Sequence, residues 1–306
     1  MFAWLGSGLA PPLPAFDAFA APDEYSFAFK GLIEANWLQA LEVGIDPAHA
    51  SFLHRFFADD DPKDGYGQQF RDRTAGAEIP VTRLLRENPR PDIGVEEAGW
   101  GLRITTRRDL GNAGTHVRVT NFAFPNAIVI PLSTDMVLTQ WHVPIDDVSC
   151  FWYGIFTAFE QKTDKRAMRD QRLALYSLPD YRPRRGRAND YGYDPVEQRE
   201  TTFTGMGTDI NVHDNWAVES PGPIADRTAE HLGVSDRAII AGRRLLLAAI
   251  DAVETGGAPA IAPDCRAVPL AVDTVAAAGD WQAHWRAIDA GRRARSPWAA
   301  AHGAEG

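Results

Sequence analysis

Between residues 93 and 159 the chain reads as five short apolar runs: GWGLRITTRRD, THVRVTNFAF, NAIVIPL, DMVLTQWHVPI and SCFWYGIFTAF. They are separated by Leu-Gly-Asn-Ala-Gly, Pro125-Asn126, Ser133-Thr134 and Asp146-Asp147, which are turn formers. Parallel strands need a crossover of a dozen or more residues, and these gaps are far shorter. The pattern therefore predicts an antiparallel meander. A further run, YSFAFKGLI (Tyr25 to Ile33), alternates at period two and adds a strand upstream.

Helical segments flank this block. Residues from Trp37 to about Phe57 are rich in helix formers but interrupted by Gly44 and Pro47, which predicts two short helices meeting at an angle. Ser235-Asp236 starts a second helical region, with an apolar stripe of Ile239, Ile240, Leu245, Leu246 and Ile250 that ends near Gly256. Pro11 to Pro14 reads as an extended arm, 58–78 as a surface loop, 160–210 as a polar connection, and the tail from Ala287 as a segment that frays. The expected fold class is α+β, one antiparallel sheet with helices on one face.

Composition narrows the function classes. A net charge of −10 does not attract a phosphate backbone or an anionic bilayer, so neither a nucleic-acid nor a membrane partner is expected. Cys150 and Cys265 give neither a disulfide framework nor zinc spacing. The opening MFAWLGSGLAPPLPAF lacks the charged lead-in of a secretory signal, and a cytoplasmic setting is expected.

The chemistry-bearing stretch is NWLQALEVGIDPAHASFLH, residues 36–54, in which Asp46 precedes His49 and His54. Two imidazoles and a carboxylate on one side of an ion leave positions open for oxygen or substrate. On a straight helix, residues five apart diverge by about 140°, so the pair converges only across a bend. Two histidines near a helix end are more often structural. A third ligand has to come from elsewhere, and in TDINVHDNWAVES spacing alone leaves Asp209, Asp214 and Glu219 open.

Residues 36–54 resemble the iron-binding segment of Rieske-type aromatic ring-hydroxylating oxygenases, which carry NW, then E, then D-x-x-H-x-x-x-x-H. Asn36, Trp37, Glu42, Asp46, His49 and His54 fall in register. Downstream, TFTGMGTDINVHDNWAVESPGPIADRTAEHLGVSDRAIIAGRRLLLAA resembles the matching region of the phthalate dioxygenase-like branch. The resemblance implies a helix-grip (START-like) catalytic domain over residues 25–265, after an arm at 1–24 and before an extension at 266–306. It implies a mononuclear Fe(II) held by His49, His54 and Asp214, with His213 where the family usually has glutamine. Asp46 matches the bridging aspartate that passes electrons between subunits of a homotrimer. Asn36 and Glu42 are expected just behind the ligands.

The family's [2Fe–2S] cluster takes two cysteines and two histidines. Neither Cys150-Phe-Trp nor Cys265-Arg-Ala has the Cys-x-His form, so the cluster is expected on a missing domain or a separate Rieske ferredoxin-like partner. MFAWLG itself resembles the last strand of that domain. Electrons would come from an NAD(P)H-dependent reductase. The implied activity uses O₂ to hydroxylate, cis-dihydroxylate or O-demethylate an aromatic substrate, an aromatic acid or aryl ether being favoured. The alternative is a carrier of hydrophobic ligands or an inactive remnant on the same fold.

Three lesser features carry bland expectations. The run Arg182, Arg184, Arg185, Arg187 reads as a solvated loop before a docking site. The aromatics of CFWYGIFTAF either line a pocket or fill the core. His116 and His142 lie in strand patterns and are expected to be satisfied structural histidines.

Overall fold

The computed structural model describes residues 13–59, 79–257, 268–277 and 279–300. The MFAWLG segment, Pro11 and Pro12 of the arm, residues 60–78 of the expected loop, Cys265 and the boundary at 265/266 lie outside the described residues.

The meander forms as expected. Strands β1 (Ser26–Ile33), β2 (Asp92–Ala98), β3 (Gly101–Asp109), β4 (Thr115–Ala123), β5 (Ala127–Pro131), β6 (Met136–Asp146) and β7 (Ser149–Ala158) build one antiparallel sheet in the order β1-β7-β6-β5-β4-β3-β2. A two-strand ribbon, β8 (Tyr176–Ser177) and β9 (Arg182–Pro183), lies apart, and β10 (Val272–Ala276) pairs with the first half of β4. Two joins are long range. Tyr25 to Ile33 closes on β7, with Ile33 opposite Cys150, and the segment read as a C-terminal extension supplies a strand to the central sheet.

Strand alternation gives the sheet two different faces. Leu102, Ile104, Phe122 and Ile128 pack against Leu41 and Ile45 of the helix Trp37–Ile45 and Ala238 of the helix Arg237–Glu254. Residues of the other parity, Val117 and Val119, pack with Val272 and Trp285, while Val129 and Val137 pack with Phe16 and Ala299. So the helices that carry the site lie on one face, and the chain's two ends cover the other.

As far as residue 300, where the described residues end, the tail does not fray. Trp281–Arg295 is a helix that starts on the Asp280 cap, and Trp285 is 2% exposed. Its Arg293 donates to both Asp17 oxygens, at 2.8 and 2.7 Å, and to Asp289 at 2.7 Å. A buried guanidinium is tolerated only when paired and hydrogen-bonded. These contacts, invisible in an Ala/Arg-rich sequence, fix the end of the chain. Gly44 also differs from expectation, since the helix runs through it to Ile45. A Cβ there would collide with Ile128 of β5, so this glycine permits close helix–sheet contact and breaks nothing.

Breaking a buried ion pair leaves an uncompensated charge. Asp17→Ala is expected to lower the unfolding free energy by about 3 kcal/mol, measured by urea denaturation at pH 7.

Candidate metal centre

The first helix ends at Ile45, and Asp46–Ala48 turn the chain before the short helix His49–Phe52. His49 opens that second helix and His54 lies beyond its end, so the two imidazoles no longer follow one straight helix. Their ring centroids are 5.1 Å apart. The helix Ile210–Glu219, capped by Asp209, brings Asp214 to the same point. Asp214 Oδ1 lies 3.2 Å from His54 Nε2 and 3.8 Å from His49 Nε2. One ligand atom from each of the three residues falls within 4.8 Å of the others.

Placement separates the three acids. Asp209 caps its helix and faces Arg172 at 3.6 Å. Glu219 accepts from Tyr191 Oη at 2.7 Å and from the Glu34 N–H at 3.0 Å. Only Asp214, among these, converges with the histidines.

Hydrogen bonds fix which ring nitrogen of each histidine is the donor. The Asp46 carbonyl, which can only accept, contacts His49 Nδ1, so that nitrogen carries the hydrogen and Nε2 keeps its lone pair. The Gly207 carbonyl contacts His213 Nε2 at 2.9 Å, so His213 Nε2 donates and its Nδ1 accepts. His213 Nδ1 faces His54 Nδ1 at 3.4 Å, which makes His54 Nδ1 a donor and leaves His54 Nε2 a lone pair. Two imidazole lone pairs and a carboxylate oxygen then point at one another. Asp214 Oδ1 has no hydrogen-bond partner among the described residues. Three acceptors facing inward repel unless a cation sits between them, and two His and one carboxylate form a donor set suited to Fe(II).

Electrostatics agree. Burial, then neighbouring His54, pushes the His49 imidazole below its ordinary range, favouring the neutral form. Burial alone would raise Asp214, but the neighbouring imidazoles, His54 first, hold its carboxyl below the ordinary range to the extent that they carry a proton, a part that a bound cation would take over. His54 is only 2% exposed, whereas His49 and Asp214 are 20% and 24% exposed and leave one side open. Asp46 is half-buried, its Oδ1 accepting from the Ala48 N–H at 2.8 Å, and burial raises its pKa above the ordinary carboxylate value.

Asn36 and Glu42 make their contacts elsewhere. Asn36 caps its helix and donates to the Asp147 carbonyl at 2.8 Å. Glu42 is gripped by Arg243 and Arg227, each at 2.6 Å, which ties the first helix to the Arg237–Glu254 helix. Among the described residues, the contacts of both hold the helix that leads to the site.

Behind the triad lies a cavity of about 110 Å³, walled by Ile33, Ile130, Leu138 and Trp152. Of the CFWYGIFTAF aromatics Trp152 alone lines it; Phe156 fills the core, and Phe151 and Tyr153 hold the Lys30 ammonium outside. Its lining also includes Arg108, His116, Arg118 and Asp273. Asp273 accepts from His116 Nε2 at 2.9 Å and Arg118 Nη1 at 2.5 Å. Burial would raise this carboxyl, but His116 and then Arg118 hold it well below the usual range. Arg108 is 3% exposed and bonds Asn88 O and Ser51 Oγ, with no carboxylate in salt-bridge range among the described residues. Burial pushes its guanidinium down to about 10, so it stays charged at neutral pH.

His116 is thus satisfied, as expected. His142 is not: it lines the same cavity, and neither ring nitrogen has a hydrogen-bond partner among the described residues. The basic run is tied down, Arg182 to Glu34, Arg185 to the Met206 carbonyl and Arg187 to the Glu219 carbonyl. Arg108 did not stand out in sequence and His142 was expected to be satisfied, because a strand pattern shows the face a residue takes and not the partners it lacks.

Residues 3–303 match the family described as LigXa C-terminal domain like. The chain is 32% identical to the phthalate 4,5-dioxygenase oxygenase subunit of Pseudomonas putida over 97% of its length and 67% of that protein's. It is 24% identical to the 3-chlorobenzoate-3,4-dioxygenase oxygenase subunit of Comamonas testosteroni, over 81% of this chain and 58% of that protein. A solved structure of Pseudomonas putida CBB5 NdmA (QL mutant, with theobromine) matches with a TM-score of 0.43 and 15% identity, covering 89% of this chain and 62% of that one. The chain therefore spans roughly two thirds or less of these proteins. Among the described residues no helix is long and apolar enough to cross a membrane.

Two expectations are measurable at the site. His213→Leu removes the acceptor that orients His54 and is expected to weaken Co(II) binding about 10- to 100-fold, whereas His213→Gln restores an acceptor and retains it; calorimetric titration reads both. His142 is pushed down to about 4 by burial. An unfolded histidine titrates near pH 6.5, so the unfolded chain binds more protons between about pH 6.5 and 4. Stability from this group is complete above that window and falls by up to about 3 kcal/mol as pH drops through it. Urea unfolding of His142→Leu is expected to show a flatter acid dependence than the parent.

The matched family and the 32% identity over nearly the whole chain agree with the motif register around Asp46, His49 and His54: the chain belongs to the LigXa C-terminal domain-like family, among the Rieske-type aromatic ring-hydroxylating oxygenases.

Proposed function

We propose that this chain is the catalytic domain of an oxygenase in which His49, His54 and Asp214 hold one Fe(II). The observation that carries the reading is the convergence of two imidazole lone pairs on Asp214 Oδ1, an oxygen with no hydrogen-bond partner among the described residues. The ion, when bound, supplies the redox chemistry that lets O₂ react with an aromatic ring. The residues supply position. His54, buried and oriented through His213, fixes one side, while partly exposed His49 and Asp214 face the approach.

The cavity supports an aromatic acid as substrate. Trp152, Ile130 and Leu138 offer flat apolar contact. In the same lining two guanidinium groups, Arg108 and Arg118, accompany one carboxylate, Asp273, among the described residues. A buried cation without a full counter-charge selects an anion at the cavity wall. Such a wall is costly in a carrier for hydrophobic ligands and useful for a carboxylate.

Electrons are proposed to arrive from a Rieske cluster outside the described residues, on a ferredoxin-like partner or a further domain, fed by an NAD(P)H-dependent reductase. Asp46 is proposed as the bridging carboxylate between neighbouring chains of a trimer. It lies half-buried beside His49, where a partner's imidazole could donate to it.

The ligand assignment is tested by metal analysis after anaerobic loading with Fe(II). About one iron per chain is expected in the parent, and loss of it in His49→Ala and His54→Ala; full iron in both variants rejects the assignment. The anion site is tested by calorimetry with phthalate. Arg108→Leu is expected to weaken binding about 10- to 100-fold, the worth of a charge-assisted hydrogen bond.

A further inference from the structure

The β6 wall of the cavity is made by Leu138, Gln140 and His142, alternate residues on one sheet face. Leu138 belongs to the apolar core, and Gln140 Oε1 accepts from Trp152 Nε1 at 2.7 Å. His142 is different. Its side chain is 3% exposed with Nδ1 and Nε2 both lacking hydrogen-bond partners among the described residues. Its backbone is pinned, the N–H donating to the Asn126 carbonyl at 3.1 Å and its own carbonyl accepting from Asn126 Nδ2 at 3.0 Å. A rigid strand therefore presents a buried, unsatisfied imidazole to the cavity that also meets Asp214. Leaving such a group unpaired destabilises a fold, and leucine would fill the place without that cost.

We propose that His142 sets specificity by hydrogen-bonding an uncharged oxygen substituent, a hydroxyl or an ether, on an aromatic carboxylate. This rests on reading the cavity as the substrate site. The imidazole offers one donor and one acceptor, which a hydroxyl matches at both and an ether at one. A second carboxylate is a poorer match, because the guanidinium groups that line the cavity stand on β3 and β4, away from β6. His142 is level with Asn126 in the turn between β4 and β5, whereas Arg108 pairs with His116 at the start of β4, and β6 and β3 are three positions apart in the sheet order, so the two side chains lie in separate parts of the cavity.

The test is calorimetric titration of the full chain with benzoate, 3-hydroxybenzoate, 4-hydroxybenzoate and 3-methoxybenzoate. The parent is expected to bind at least one oxygenated member about tenfold or more tightly than benzoate, since a buried polar group left unmatched penalises the analogue lacking its partner. His142→Leu is expected to shrink that gap to less than about twofold and to show an equal or higher thermal midpoint at pH 8. His142→Asn, whose amide ends short of the imidazole position, is expected to narrow the gap too, and it serves if the leucine variant does not fold. A gap that survives in the variants overturns the proposal, as does a parent that binds all four compounds alike. Metal content measured on the same samples separates this result from the iron assignment: His142 is outside the triad, so its variants retain the parent's metal whether or not the gap closes.

Discussion

A carbonyl oxygen can only accept, and two carbonyls organise this site. Asp46 O turns His49 so that Nε2 faces inward, and Gly207 O does the same for His54 by way of His213. Both carbonyls belong to irregular backbone. Asp46 ends one helix and has an extended conformation, while Gly207 lies just before the Asp209 cap with φ +81, a region open to glycine. The helix break at Asp46–Ala48 is therefore more than a bend between rods, since it exposes the acceptor that fixes a ring. His213 presents an acceptor to His54 and is itself tied to the backbone through the Gly207 carbonyl.

The sheet gives this arrangement a rigid floor. Gly44 lets the first helix settle against β5, and the Glu42–Arg243–Arg227 cluster locks that helix to the Arg237–Glu254 helix. On the far side, Phe16, Trp285 and the Asp17–Arg293 pair seal the other face. A sheet buried on both faces can carry polar side chains inward on one of them without exposing its core. That is how β3, β4 and β6 come to present Arg108, His116, Arg118 and His142 to a single cavity.

These inward polar groups divide by how well they are satisfied. His116 and Arg118 share Asp273 and form a closed unit. Arg108 adds charge beyond what that carboxylate balances, and His142 has no partner among the described residues. Unsatisfied groups in a well-packed protein persist where function needs them, because stability alone would replace them. The cavity wall is accordingly less stable than an apolar one of the same shape, and better suited to an oxygen-bearing anion.

Period-two alternation and short turns were enough to place β1 and β3 to β7, since both are local properties of the chain. The helix break near Pro47 was legible for the same reason, as was the His49–His54 pair, whose motif is contiguous. Asp214 could be named only through resemblance, for spacing left Asp209 and Glu219 equal to it until each was seen bonded elsewhere. Asn36 and Glu42 were expected behind the ligands, and the structure gives them to a cap and an ion cluster. The pairing of β10 with β4, the ordered tail held by Arg293, and the roles of Arg108 and His142 depend on contacts across scores of residues. Sequence determines which face of a strand a side chain takes; only the tertiary structure decides whether a partner waits there, because that partner arrives from a distant part of the chain.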